Sequence, residues 1–205
     1  MIFLSVYDIL IKARSYEGGS VMQNDDELYD AFLAGSSQAY DELITRYSVS
    51  LTVFLFGYLH DQQDAEDMMI ETFARIMTKK PYIRTGGFKA YLFKTARNFA
   101  ARFHSTASGE KRFCLDGIDE KYPDLVTPEE LLHNKERSSI LHRCIKRIEP
   151  QLREAIWLVY FENMSYKETA AVMKVNAKRV ERLLIRGKNA LRTELEKEGI
   201  IDAYN

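Results

Sequence analysis

Between residues 40 and 58 the apolar side chains fall on one helical stripe. Tyr40, Leu43, Ile44 and Tyr47 follow i, i+3, i+4, i+7 spacing, and Leu51, Phe54, Leu55 and Tyr58 repeat it. That period predicts one long helix or two in line, and no segment of the chain shows a sustained period of two. The chain is therefore expected to be all-α. A short helix precedes the stripe, capped by Asp25, carrying Leu28, Phe32 and Leu33 and ended by Gly35. Asp61 caps a further helix whose inward face is Ala65, Met68, Met69, Thr72, Phe73 and Ile76, closed by Pro81. After the loop KKPYIRTGG, the residues Phe88, Tyr91, Leu92, Ala96, Phe99 and Phe103 mark a fourth helix. Together these make a helical module over about 25–104.

Residues 105–126 lack an apolar period, are rich in Gly, Pro, Ser and Asp, and read as a flexible linker. Helicity restarts at TPEE, where Thr127 caps, Pro128 takes the first helical position and Glu130 completes a capping box. Leu141, Cys144, Ile145 and Ile148 form one stripe, and after Pro150 the residues Leu152, Ala155, Ile156 and Val159 form the next. A second small module over about 127–197 ends in two closely spaced helical patterns. Ser165 and Glu168 make a capping box for the first, whose core side holds Ala170 and Met173. Val175 lies in the turn and Asn176 caps the second, with Val180, Leu183, Leu184, Gly187 and Leu191 on its buried stripe. Two such short helices are stable only when packed crosswise, as in a helix-turn-helix, whose second helix enters the major groove. Lys178, Arg179, Arg182 and Arg186 fall on or near the face opposite the stripe. Lys174 occupies the turn position where a glycine would be most comfortable.

Net charge hides a segregation. The chain sums to −1, yet Asp25 to Phe73 holds eleven Asp/Glu against one Arg, Ala74 to Cys114 ten Lys/Arg against one Glu, and Ser165 to Lys197 nine Lys/Arg against four Glu. Blocks of this kind imply one surface that meets a cation and others that meet an anion. The two cysteines, Cys114 and Cys144, form no CxxC pair, which fits a reducing cytoplasm. Neither His133, His142 and Cys144 nor the Asp67 and Glu71 pair makes a metal site: positions 142 and 144 point to different sides of a helix, and no third ligand converges on the two acids. Residues 1–24 carry an apolar run broken by Asp8, too short to span a bilayer and without a cleavage signal, and read as an extension outside the fold, with Met22 a second candidate start. Residues 198–205 form a tail. No nucleophile–base set, phosphate loop or metal spacing appears, so neither an enzyme nor a bound cofactor or small-molecule substrate is expected.

Four stretches in order, DAEDMMIETFARI at 64–76, GGFKAYLFKTARNFAARF at 86–103, TPEELL at 127–132 and LVYFENMSYKETAAVMKV at 158–175, resemble a group IV (extracytoplasmic-function, ECF) sigma factor of bacterial RNA polymerase, over about Asp25 to Glu196. The resemblance implies two small helical domains, sigma regions 2 and 4, on either side of the linker. It implies core RNA polymerase as partner, through the beta-prime clamp helices and the beta flap, together with promoter DNA and an anti-sigma factor that could hold the protein at the membrane. By position, Asp64, Glu66, Asp67 and Glu71 match the clamp contact. Phe88, Tyr91, Lys94, Arg97, Asn98 and Arg102 match the −10 contact, and the basic residues Lys178, Arg179, Arg182 and Arg186 the −35 contact. Ile70 stands where the family usually has glutamine, Tyr91 where it has tryptophan, and Arg179 and Arg182 where it has threonine and serine; Glu181 adds an acid to the recognition helix. The competing expectation is a helix-turn-helix regulator with a helical sensing or dimerisation domain. The basic loop and helix with interleaved aromatics at 79–103 suit single-stranded DNA better than a ligand pocket.

Overall fold

The computed structural model describes residues 24–106, 140–141 and 143–199, and every regular element within them is helical. α1 spans Asp25–Leu33. Its cap is Asn24, not Asp25: the Asn24 side chain accepts from Asp26 N at 3.4 Å, and the Glu27 carboxylate takes the Asn24 N–H. Asp25, one residue inside, is left to accept from Arg46 Nη1 at 2.6 Å and from the Tyr47 hydroxyl. Leu33 is 40% exposed and Tyr29 takes the buried place beside Leu28 and Phe32. Ala34 is the C-cap, and Gly35, at φ 110°, turns the chain.

The 40–58 stripe is one helix, α2, Ser37–Leu59, begun by Ser36. From Leu51 to Leu59 every residue is buried, so its second half is enclosed on all sides, as a helix apolar all round must be. α1, α3 and α4 pack around it. α3, Gln62–Lys79, starts where Asp61 accepts from Asp64 N at 3.0 Å. It buries Ala65, Thr72, Phe73 and Ile76, with Met68 and Met69 partly covered. Lys80 closes it in the left-handed conformation before Pro81. The following loop is tied back to α1: the Tyr29 hydroxyl donates to Pro81 O at 2.8 Å and Gly86 N to the Asp26 carboxylate at 2.6 Å. α4 then runs Phe88–Thr106, two residues past the boundary the sequence suggested. The linker beyond it, and the Thr127 and Glu130 cap, lie outside the described residues.

In the second half, residues 143–147 are helical and Leu141, Cys144, Ile145 and Ile148 are buried. Pro150 opens α5, Pro150–Ile156, at its first position. The helix then widens into a π-turn, Trp157–Phe161, whose closing bond runs from Glu162 N to Trp157 O at 3.0 Å. α6, Tyr166–Met173, and α7, Ala177–Lys197, follow. α7 lies on α5 and α6, and α6 lies on α4. The two halves are thus in contact, and their buried apolar residues join in one cluster. No described helix is long and apolar enough to cross a membrane.

Candidate nucleic-acid interface

The α6–α7 pair is built from local chemistry. Ser165 Oγ accepts from Glu168 N at 3.2 Å while the Glu168 carboxylate takes Ser165 N–H at 2.7 Å, which satisfies two otherwise unpaired donors. Thr169, Ala170, Val172 and Met173 turn inward. Lys174 then adopts φ 57°, the left-handed turn that the absent glycine would have taken more easily. Asn176 Oδ1 accepts from Arg179 N at 2.8 Å and sets the start of α7. Val180, Leu183, Leu184, Gly187, Leu191 and Leu195 are buried. The opposite face presents Lys178, Arg179, Glu181, Arg182, Ile185 and Arg186, all exposed. Among the described residues no carboxylate lies within salt-bridge reach of Lys178, Arg179 or Arg182, whereas Arg186 meets Glu149 at 2.9 Å. That pair is exposed on both sides, so a phosphate can displace the glutamate at little cost.

The basic helix α4 divides its expected residues. Lys94 and Arg102 are exposed, and Tyr91 and Asn98 are half-buried. Phe88 is 1% exposed, wedged between the Tyr29 and Tyr47 rings at centroid distances of 5.2 and 6.0 Å. It is a core residue and does not reach a base. Arg97 points into the molecule: its Nε donates to Glu154 Oε1 at 2.7 Å and to the Tyr58 hydroxyl at 3.1 Å. Burial alone would lower its pKa, but Tyr58 and Glu154 together raise it, so the guanidinium stays charged. Burial, with Glu154 alongside, pushes the Tyr58 phenol well above its ordinary value. Lys89, which the sequence did not single out, pairs with Glu162 at 3.4 Å.

On α3, Asp67 and Glu71 are exposed together, while Asp64 and Glu66 are half-buried. Gln63 donates to Asp67 at 3.1 Å and Gln62 to Glu66 at 2.8 Å, which orients both carboxylates. Ile70, 59% exposed, stands among them, so the face is apolar at its centre and acidic around it. Such a surface fits a basic protein partner rather than DNA. Among the described residues no three His, Cys, Asp or Glu side chains are placed to share a metal.

Residues 43–109 match the family model for Sigma-70 region 2, and residues 138–191 that for Sigma-70, region 4. The RNA polymerase sigma-H factor of Pseudomonas aeruginosa is 25% identical over 184 residues, covering 85% of this chain and 95% of its own. The ECF RNA polymerase sigma factor SigM of Bacillus subtilis is 25% identical over 162 residues, 79% of this chain and 98% of its own. Among solved structures, CnrH in complex with the cytosolic domain of CnrY superposes with a TM-score of 0.59 at 19% identity, covering 85% of this chain and 98% of that one. The sigma factor RpoE in complex with the anti-sigma factor NepR from Bartonella quintana gives 0.52 at 19% identity, with 77% and 96% covered.

Proposed function

The chain belongs to the sigma-70 family, in its ECF branch, and we propose that its two halves divide the work between α3 on the polymerase, α4 on the −10 element and α7 on the −35 element. As a sigma factor it binds core RNA polymerase and directs promoter-specific initiation; both family regions, in order on one chain, disfavour a regulator with a sensing domain. The observation that carries the division is the sorting of exposed charge: acids around Ile70 on α3, cations on α4 and on the first turns of α7.

In this reading residues 25–104 act as region 2 and 127–197 as region 4. Asp67, oriented by Gln63, and Glu71 meet the beta-prime clamp, with Asp64 and Glu66 beside them on the same helix. Lys94 and Arg102 follow the phosphates of the melting strand, and Tyr91 and Asn98 lie beside them to engage unstacked bases. Arg179 and Arg182 reach base edges, while Lys178 and Arg186 meet phosphate. The protein acts without catalysis of its own and works in the cytoplasm beside the polymerase. An anti-sigma factor is its proposed regulator, as one structural relative is a sigma factor bound to one. Run-off transcription with purified core polymerase tests the reading: discrete start sites that depend on the added protein are expected, and core polymerase that initiates no differently with it would refute the reading.

A further inference from the structure

The loop between α3 and α4 buries little of itself, yet α1 holds it at both ends. Its side chains alternate: Pro81 and Ile83 are half-buried, Ile83 against the core, whereas Tyr82 and Arg84 are exposed. Tyr82 is 89% exposed, more than any other aromatic side chain among the described residues. Three residues of α1 make the ties. The Tyr29 hydroxyl donates to Pro81 O at 2.8 Å, the Asp26 carboxylate accepts from Gly86 N at 2.6 Å, and Lys80 Nζ lies 4.9 Å from the centre of the Phe32 ring. Burial, with Tyr91 nearby, raises the Tyr29 phenol to about 12, so it remains a donor. Between the ties Gly87 N closes a turn onto Arg84 O at 2.8 Å, and Gly86 takes a left-handed φ of 73°. A Cβ on Gly87 would meet that same carbonyl at 2.7 Å, so the turn admits no side chain there. With Lys79, Lys80 and Arg84 around it, the outward ring of Tyr82 is an aromatic set among cations, a combination that suits unpaired bases and their phosphates.

We propose that α1 acts in promoter opening through this loop: Asp26 and Tyr29 are positioning residues that preset the 81–86 backbone, so that Tyr82 and Arg84 meet the melted −10 strand already ordered. The proposal rests on the reading of the first half as the one that engages the −10 element. A surface loop that becomes ordered only on its ligand loses backbone freedom at that moment, and the loss is subtracted from binding. Here the ordering is done beforehand by groups on the inner side of the loop, Tyr29 being 3% exposed and Asp26 half-buried. When a tie is lost the loop returns to a mixture of conformations. Affinity for the strand then falls with the fraction that stays competent.

The test uses holoenzyme reconstituted from the full chain and core polymerase, bound to a fluorescent promoter that is unpaired across the −10 element mapped by run-off transcription. Asp26→Ala should weaken this binding about tenfold and Tyr29→Phe about threefold, the ordinary effects of losing a charge-assisted and a neutral hydrogen bond. Asp26→Asn should stay within about twofold of wild type, because its Oδ1 can still accept from Gly86 N. Affinity for core polymerase should not change in any of the three. The decisive measurement is coupling: in a chain that already carries Tyr82→Ala and Arg84→Ala, Asp26→Ala should cost nothing more, since it acts only through those side chains. A merely structural aspartate would give the same loss in both backgrounds, and that result overturns the proposal. So does an Asp26→Asn protein as weak as Asp26→Ala, or wild-type binding by Asp26→Ala. Tyr29→Phe, which differs by one oxygen, decides through the same coupling if Asp26→Ala fails to fold. Wild-type binding by Tyr82→Ala with Arg84→Ala also overturns the proposal; weakened binding by Lys94→Ala with Arg102→Ala would then show that the −10 reading of α4 stands without it.

Discussion

Gly187 is where the recognition helix meets its support, and its replacement tests the packing of the whole helix-turn-helix. A Cβ built on Gly187 would lie 3.0 Å from Ile156 Cδ1, 3.4 Å from Ile156 Cγ1 and 3.5 Å from Leu152 Cβ. The first contact is too close, but the atom is the end of a side chain that can yield a few tenths of an ångström. Alanine favours the helix by about 1 kcal/mol over glycine, and mild overpacking costs about 1–3 kcal/mol. Gly187→Ala should therefore be neutral to destabilising by about 2 kcal/mol. Gly187→Val adds two methyl groups against Ile156 and Leu152, which cannot both retreat, and should cost at least about 3 kcal/mol. Ile156→Val removes the clashing methyl and by itself costs about 0.5–1.5 kcal/mol. Combined with Gly187→Ala, it should be less destabilising than the sum of the two by about 1 kcal/mol, since the cavity of one receives the methyl of the other. Urea unfolding of the four proteins in the cycle measures this coupling. Strict additivity, together with a Gly187→Val protein as stable as wild type, would refute the crossing described for α5 and α7.

Lys174→Gly relieves a left-handed lysine worth about 1–2 kcal/mol, less glycine's own entropic cost of about 0.5–1 kcal/mol, so calorimetry should show a small rise in Tm. Asp67→Lys with Glu71→Lys places cations on an exposed acidic face and should abolish co-elution of the folded protein with core polymerase, like charges costing several kcal/mol. Glu181→Ala should change base preference at one −35 position, where a carboxylate can accept from a cytosine amino group, with discrimination of about 1–3 kcal/mol lost in a binding assay over all single-base variants. Arg179→Ala should relax preference at one position, whereas Arg186→Ala should weaken all sequences alike and flatten the salt dependence of binding.

What the sequence revealed is what neighbours along the chain decide. The stripes of α2 and α7, the Asp61, Ser165 and Asn176 caps and the strained turn at Lys174 all arise within a few residues. The cap of α1 went one residue astray because Asn24 and Asp25 both cap well; the deciding signal was Glu27, which completes a box with Asn24. The inward placement of Phe88 and Arg97 was not legible for a different reason. An aromatic and a cation on a basic helix look alike whether they face DNA or the protein, and here Tyr29, Tyr47 and Glu154, all distant in sequence, decide. No local period encodes those contacts.

The charge blocks need the same correction, since proximity in sequence pools acids that do different work. Asp25 is consumed by Arg46 and Tyr47, Asp26 holds Gly86, Glu27 and Asp61 cap helices, and Glu42 lies 3.5 Å from Arg46. Asp25 and Glu42 thus face a cation, while Asp26, Glu27 and Asp61 are occupied in ordering the backbone of the first half. On α3 the carboxylates of Glu66 and Asp67 receive only neutral glutamine amides, and Glu71 stands exposed. A neutral donor orients a carboxylate without cancelling its charge, so this helix keeps its full field for a cationic surface. The basic block divides in the same way, with Arg97 and Lys89 spent on Glu154 and Glu162 while Lys94 remains exposed.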